Sequence, residues 1–189
     1  MLGSDADVTV VTVFTGGPEP GFVSSWDADT GVDSATRMEQ RLEENRSALA
    51  LVGRTPVDLG FLEVLYGGNG VTGEALSPHL AGADVVYAPA GVGLEIVNRE
   101  HGVVRDAVLA ARPDACLYAD QPYCQFRADS ALDAGLRGER SPLAVRLSPA
   151  QRRSKIEALR CYAGELPKLE EAFAPFTSES RLEYELFWT

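Results

Sequence analysis

The chain has 189 residues and a formal net charge of −11, from 17 Lys and Arg against 28 Asp and Glu. Apolar residues at 45% and charged residues at 24% are the mixture of an ordinary soluble globule, and the length suits one domain spanning residues 1–189. No apolar stretch is long enough for a membrane helix, and the negative field argues against a nucleic-acid partner.

Residues 8–14 (VTVVTVF) are a continuous β-branched run, which predicts a parallel strand with both faces buried. Thr15-Gly16-Gly17-Pro18 stops it, and a loop rich in Gly, Pro, Ser and Asp runs to Ser34. Residues 35–52 predict an amphipathic helix with Met38, Leu42, Leu49 and Val52 on one stripe and Gly53 as its stop. A second strand is expected over 57–62, a flexible turn at 67–70 and a third strand over 84–88. Asn98 caps a helix running to Arg112, and residues 116–119 form a fourth strand. The stretch from Gln121 to Leu147 reads as irregular. Ser148-Pro149 opens a long helix with Ile156, Leu159 and Tyr162 buried, and Pro167 kinks or restarts it. A short closing segment, RLEYELFW, follows.

Strands alternating with helices define an α/β fold with a mostly parallel sheet and right-handed crossovers. In such sheets the site lies beyond the C-terminal strand ends, here the segments 15–33, 62–70, 89–101 and 120–126. Within them, His101 falls in the first turn of a helix. A neutral imidazole there is a competent metal ligand or hydrogen-bond donor, and equally an ordinary packed histidine bonded to Glu100 or a loop carbonyl. Arg41 and Glu44 are three apart on one helix, which usually makes a solvated pair. Glu63 closes the second strand as a base, an orienting carboxylate or an exposed acid. Trp26 and Asp27 form either a sugar-stacking rim or a loop anchor. Gly91-Val92-Gly93 lacks the GxGxxG spacing of a dinucleotide site. His79 precedes a strand and reads as a surface turn. Cys116, Cys124 and Cys161 are odd in number and lack CxxC spacing, which fits a reducing cytoplasm. The N-terminus shows no signal peptide.

In this order the segments resemble the PIG-L/LmbE-like family of metal-dependent N-deacetylases. VTVVTVFTGG is similar to the family's second strand. Arg41 to Leu49 resembles its R-x-x-E-[DN] helix, and Phe61-Leu62-Glu63 with Tyr66 resembles an FLD…Y strand end. DVVYAPAGVG with NREHGVVRDAVL resembles the H-x-D-H segment, and YADQPY an E/D-x-P-Y strand end. Lys155-Ile156, Leu159 and Tyr162, then ELFW, resemble the closing helix and tail.

The resemblance implies a Rossmann-like sheet with helices on both faces. It implies zinc that polarises an acyl carbonyl and activates water, and a substrate that is an N-acylated sugar or small N-acyl metabolite. His101 matches one metal ligand. Glu100 stands where Asp is usual and Asn98 where a further His is usual. The family's H-[PL]-D-D motif, with its other two ligands and its base, is not found, so the first central strand is expected to be missing. The sheet is then closed by rearrangement, by a second copy or by a partner chain. By the resemblance Arg41 and Asn98 bind substrate, with Trp26 on the loop rim as a further expected contact, while Glu100 and Glu63 support the chemistry. Three readings follow: a truncated or degenerate zinc deacetylase, a non-catalytic binding relative, and a metal-free acid–base enzyme using Glu100 and His101.

Overall fold

The computed structural model describes residues 7–91, 99–125, 140–173, 176–178 and 180–189. It has the mixed α/β architecture expected, in two compact units, one drawn from Met1–Gly70 and Arg153–Glu171, the other from Val71–Arg152 and Ala172–Thr189. The expected capping role of Asn98 lies outside the described residues.

In the first unit β1 (Val10–Gly16) pairs in parallel with β2 (Pro56–Leu62), from Val10 opposite Pro56 to Gly16 opposite Leu62. Register shifts fall on either side of Phe14, where Thr15 Oγ1 accepts the Gly60 N–H at 2.7 Å. Full burial of both faces was expected of β1. Val10 to Phe14 are instead half-buried, and among the described residues β1 has β2 as its only strand neighbour. Helix α1 (Ser34–Ala50) starts where the Asp33 carboxylate accepts the Thr36 N–H at 2.8 Å, satisfying one of the first-turn donors. Its buried residues include Arg37, Met38, Ala48 and Leu49. A 3-10 turn, Val64–Tyr66, follows β2.

In the second unit the four-stranded sheet has the order β3 (Tyr87–Pro89), β4 (Cys116–Tyr118), β6 (Tyr184–Trp188), β5 (Pro142–Arg146). β3 and β4 are parallel, while β6 runs antiparallel to both its neighbours. Alternate residues point to opposite faces, so Ala88, Leu117 and Trp188 share the buried face. Helix α2 (Gly73–Leu80), capped by Thr72, packs on α3 (Arg99–Ala111). A Cβ at Gly73 would lie 2.8 Å from the Ala107 carbonyl oxygen, so the close approach needs glycine there.

Two elements depart from the sequence reading. The turn expected around His79 is the last turn of α2, which carries Pro78 inside it, and His79 is exposed on it. The stretch from Gln121 to Leu147 contains β5, an edge strand with all five residues exposed. The long helix begins as expected. At the start of α4 (Pro149–Arg160), Ser148 and Gln151 exchange side-chain-to-backbone bonds, Gln151 N–H to Ser148 Oγ at 3.3 Å and Ser148 N–H to Gln151 Oε1 at 2.9 Å. Pro167 lies at the second position of α5 (Leu166–Phe173), a restart.

Candidate functional site

The second unit holds His101 in the first turn of α3, within hydrogen-bond distance of Asp120 in the loop after β4. Its Nδ1 lies 2.5 Å from Asp120 Oδ1. The Asp120 carboxylate is fully buried, and the imidazole is about one-third exposed at 33%. The second oxygen, Oδ2, accepts the Gly91 backbone N–H at 2.7 Å, and the Asp120 carbonyl accepts the Cys124 N–H at 2.9 Å. The Tyr123 ring meets the imidazole edge-on with centroids 5.9 Å apart. The sense of the Nδ1–Oδ1 hydrogen bond depends on the tautomer of the imidazole. Among the described residues Nε2 has no hydrogen-bond partner. Glu100 is half-buried beside His101 in the same turn, and Asn98 lies outside the described residues.

The first unit gathers a different set around Glu165. Its Oε1 accepts from Arg37 Nη2 and Arg41 Nε, both at 2.8 Å, and its Oε2 accepts from Trp26 Nε1 at 2.9 Å. Arg41 Nη2 lies 2.5 Å from the fully buried Asp27 carboxylate, and Arg41 Nη1 bonds the Tyr66 hydroxyl. Asp27 also accepts from Ser24 Oγ at 2.8 Å, Ser34 Oγ at 2.7 Å and Tyr66 OH at 3.1 Å. Arg41 thus stands between two carboxylates and a phenol, with each of its nitrogen types engaged. Trp26 lies under Lys168, whose Nζ is 5.5 Å from the ring centroid. The solvated Arg41–Glu44 pair expected from helix spacing does not form. Glu44 accepts the Gly164 N–H at 2.8 Å and faces Arg37 at 3.5 Å, because Glu165 and Asp27 claim Arg41. Glu63 precedes the 3-10 turn that presents Tyr66, and its carbonyl accepts the Tyr66 N–H at 3.0 Å.

Burial alone would raise the carboxyls of this cluster, but their partners win. Hydrogen bonds from Ser34 and Ser24 and the charge of Arg41 hold Asp27 below the usual carboxylate range. Hydrogen bonding and charge from Arg41, with Trp26 and Arg37, do the same for Glu165. Burial pushes the Tyr66 phenol up. Groups whose folded values are depressed give stability that is full above their unfolded values and lost as pH falls through the folded ones. The protein is therefore expected to lose stability on acidification below the unfolded values of 3.8 and 4.5. Urea midpoints measured from neutral pH to pH about 3 check this, and Asp27→Asn should flatten the slope.

Sequence reasoning did not single out Glu165 or Asp120 as site residues. Glu165 has no local signal, standing 124 positions from Arg41. Asp120 stands two residues past β4, at a strand end and at the acidic position of the E/D-x-P-Y resemblance, and both were available clues. Among the described residues no three His, Cys, Asp or Glu side chains converge as a metal group requires. No described helix is long and apolar enough to cross a membrane.

No protein-family model and no curated protein matches this chain. Solved structures do. The A40926 pseudoaglycone deacetylase Dbv21 is 23% identical over 97% of this chain and 85% of its own, with a TM-score of 0.77. The zinc-inhibited form of the teicoplanin deacetylase Orf2 is 18% identical over 97% of this chain and 87% of its own, with a TM-score of 0.78. A teicoplanin-pathway deacetylase in complex with bog is 19% identical, covering 97% and 86%, with a TM-score of 0.77. The chain therefore has the fold of these deacetylases, and at such identities the likeness is one of fold.

Proposed function

We propose that the chain is an N-deacetylase-like protein of the PIG-L/LmbE type, hydrolysing the amide of an N-acylated sugar or small N-acyl metabolite. Water oxygen adds to the acyl carbon, the C–N bond breaks, and the amine nitrogen leaves with a proton. The products are a carboxylic acid and a free amine. The observation that carries the reading is His101. It is partly exposed at the start of α3, its Nδ1 is tied to a buried carboxylate and its Nε2 is unpartnered among the described residues, in a chain folded like the deacetylases over 97% of its length.

Zinc is the metal that would supply carbonyl polarisation and water activation in such a centre. The described residues offer one imidazole and no converging triad. They do not fit a zinc centre by themselves, and no step is derived through the metal. The roles that remain are those of the chain's own groups. His101 Nε2 takes a proton from the attacking water and returns one to the departing amine. Glu100 supports it, and Asn98 contacts the substrate. Arg41 and Trp26, both bonded to Glu165, hold the 17–33 loop. Glu63, the N-cap residue of the Tyr66 turn, sets that turn. Cys116, Cys124 and Cys161 form no disulfide among the described residues, which suits a reducing cytoplasm.

A second reading, a binding protein on a deacetylase scaffold, is favoured by Asn98 and Glu100, which stand where the resemblance places His and Asp. One experiment separates the two. Protein supplemented with zinc is incubated with a panel of N-acetylated amino sugars, and free amine and binding heat are both followed. Amine release supports the hydrolase. Saturable binding without release supports the scaffold reading. Neither binding nor release contradicts both.

A further inference from the structure

We propose that Asp120 is a positioning residue that sets the working tautomer of His101, and that it does so because its second oxygen is already committed to the Gly91 backbone. The inference rests on the reading of His101 given above and deepens it.

The geometry is a chain of three groups. Gly91 N–H donates to Asp120 Oδ2 at 2.7 Å, and His101 Nδ1 lies 2.5 Å from Asp120 Oδ1. A backbone N–H can only donate, so the Gly91 end of the chain has a fixed sense. An ionised carboxylate accepts at both oxygens, so the sense at His101 is fixed as well, with hydrogen on Nδ1 and a lone pair on Nε2. The carboxylate side chain is completely buried with both oxygens hydrogen-bonded, and its backbone carbonyl is held by the Cys124 N–H. The Tyr123 edge contact fixes the ring's tilt. Nε2 is the atom that is left to coordinate, to accept a proton or to bond a substrate. In free imidazole the two neutral tautomers interconvert, and a buried orienting carboxylate removes that freedom.

The substitution Asp120→Asn tests the fixed sense directly. An amide in the same place has one acceptor and one donor. With Gly91 N–H demanding the acceptor, the amide NH2 faces His101 Nδ1, which must then accept. The tautomer inverts, hydrogen moves to Nε2, and the lone pair on Nε2 is lost. Long-range proton–nitrogen correlation spectra at alkaline pH read both ring nitrogens. The chain has two histidines, so exposed His79 serves as the internal reference in every spectrum.

The expected result is an Nδ1–H tautomer for His101 in the native protein and an Nε2–H tautomer in Asp120→Asn, with His79 unchanged. Amide spectra establish that the variant is folded. If it is not, the native spectrum alone decides. A His101 that is Nε2–H or an unbiased mixture in the native protein overturns the proposal, as does an unchanged tautomer in folded Asp120→Asn. The readout needs neither substrate nor metal, so failure to find amide hydrolysis leaves it standing. Where hydrolysis is found, Asp120→Asn should lower kcat about 10–100-fold, the usual cost of losing an orienting partner.

Discussion

Replacing Asp27 with alanine is expected to cost the protein about 3–5 kcal/mol, the range for removing one member of a buried ion pair. Asp27 is fully buried and joins Ser24, Ser34, Tyr66 and Arg41, which come from the 17–33 loop, from α1 and from the turn after β2. Its loss strands two serine hydroxyls and one arm of Arg41 away from water. The remaining carboxylate partner of Arg41, Glu165, is shared with Arg37 and Trp26 and cannot turn to replace it. Asp27→Asn keeps the shape and part of the hydrogen bonding, and should cost less. Equilibrium urea unfolding measures both. A loss under about 1 kcal/mol for the alanine variant would show that the cluster behaves as a solvated surface network.

Gly68→Ala is the second large effect, and its cause is steric. A Cβ at Gly68 would stand 1.9 Å from the Leu62 carbonyl oxygen and 2.8 Å from that of Glu63. Both obstacles are backbone, so no side chain can rotate out of the way. The segment must move, taking with it the Glu63 carbonyl that accepts the Gly68 and Tyr66 N–H groups at 2.9 and 3.0 Å. Tyr66 in turn bonds Asp27, so the damage spreads into the cluster. About 4 kcal/mol is expected, the exceptional end of single substitutions. Gly67→Ala next door is the control. It meets nothing within 4 Å but sits at φ +85°, and the left-handed conformation alone should cost about 1–2 kcal/mol. Equal effects for the two would mean that the close approach at Gly68 is relieved cheaply.

The elements that carried strong local signals were legible. The helix expected over 35–52 is found at Ser34–Ala50, and the Ser148-Pro149 start holds to the residue. What escaped was decided by distant partners. β5 reads as irregular because PLAVR is short and finds its strand only at Tyr184–Trp188. α2 was hidden by Pro78, a breaker in most helices, which an eight-residue helix carries in its second half. The spacing of Arg41 and Glu44 makes them neighbours on the helix, yet Arg41 bonds Asp27, a buried carboxylate, and Glu165, a shared one. His101 was visible as a candidate from its place after a strand. Asp120, 19 residues on, lies in a strand-end segment the sequence marks, but its contact with His101 was not visible, because only the fold brings β4's end to the start of α3.

The most direct measurement is a product balance. Native protein and His101→Ala are incubated with N-acetylglucosamine-type amides and zinc, and acetate and free amine are counted together by proton spectroscopy. The proposed chemistry predicts both products in equal amounts from the native protein and at least a hundred-fold less from the variant, a loss of about 2.7 kcal/mol in transition-state stabilisation. Turnover that survives intact in His101→Ala, or a native protein that binds these amides and never cleaves them, would contradict it.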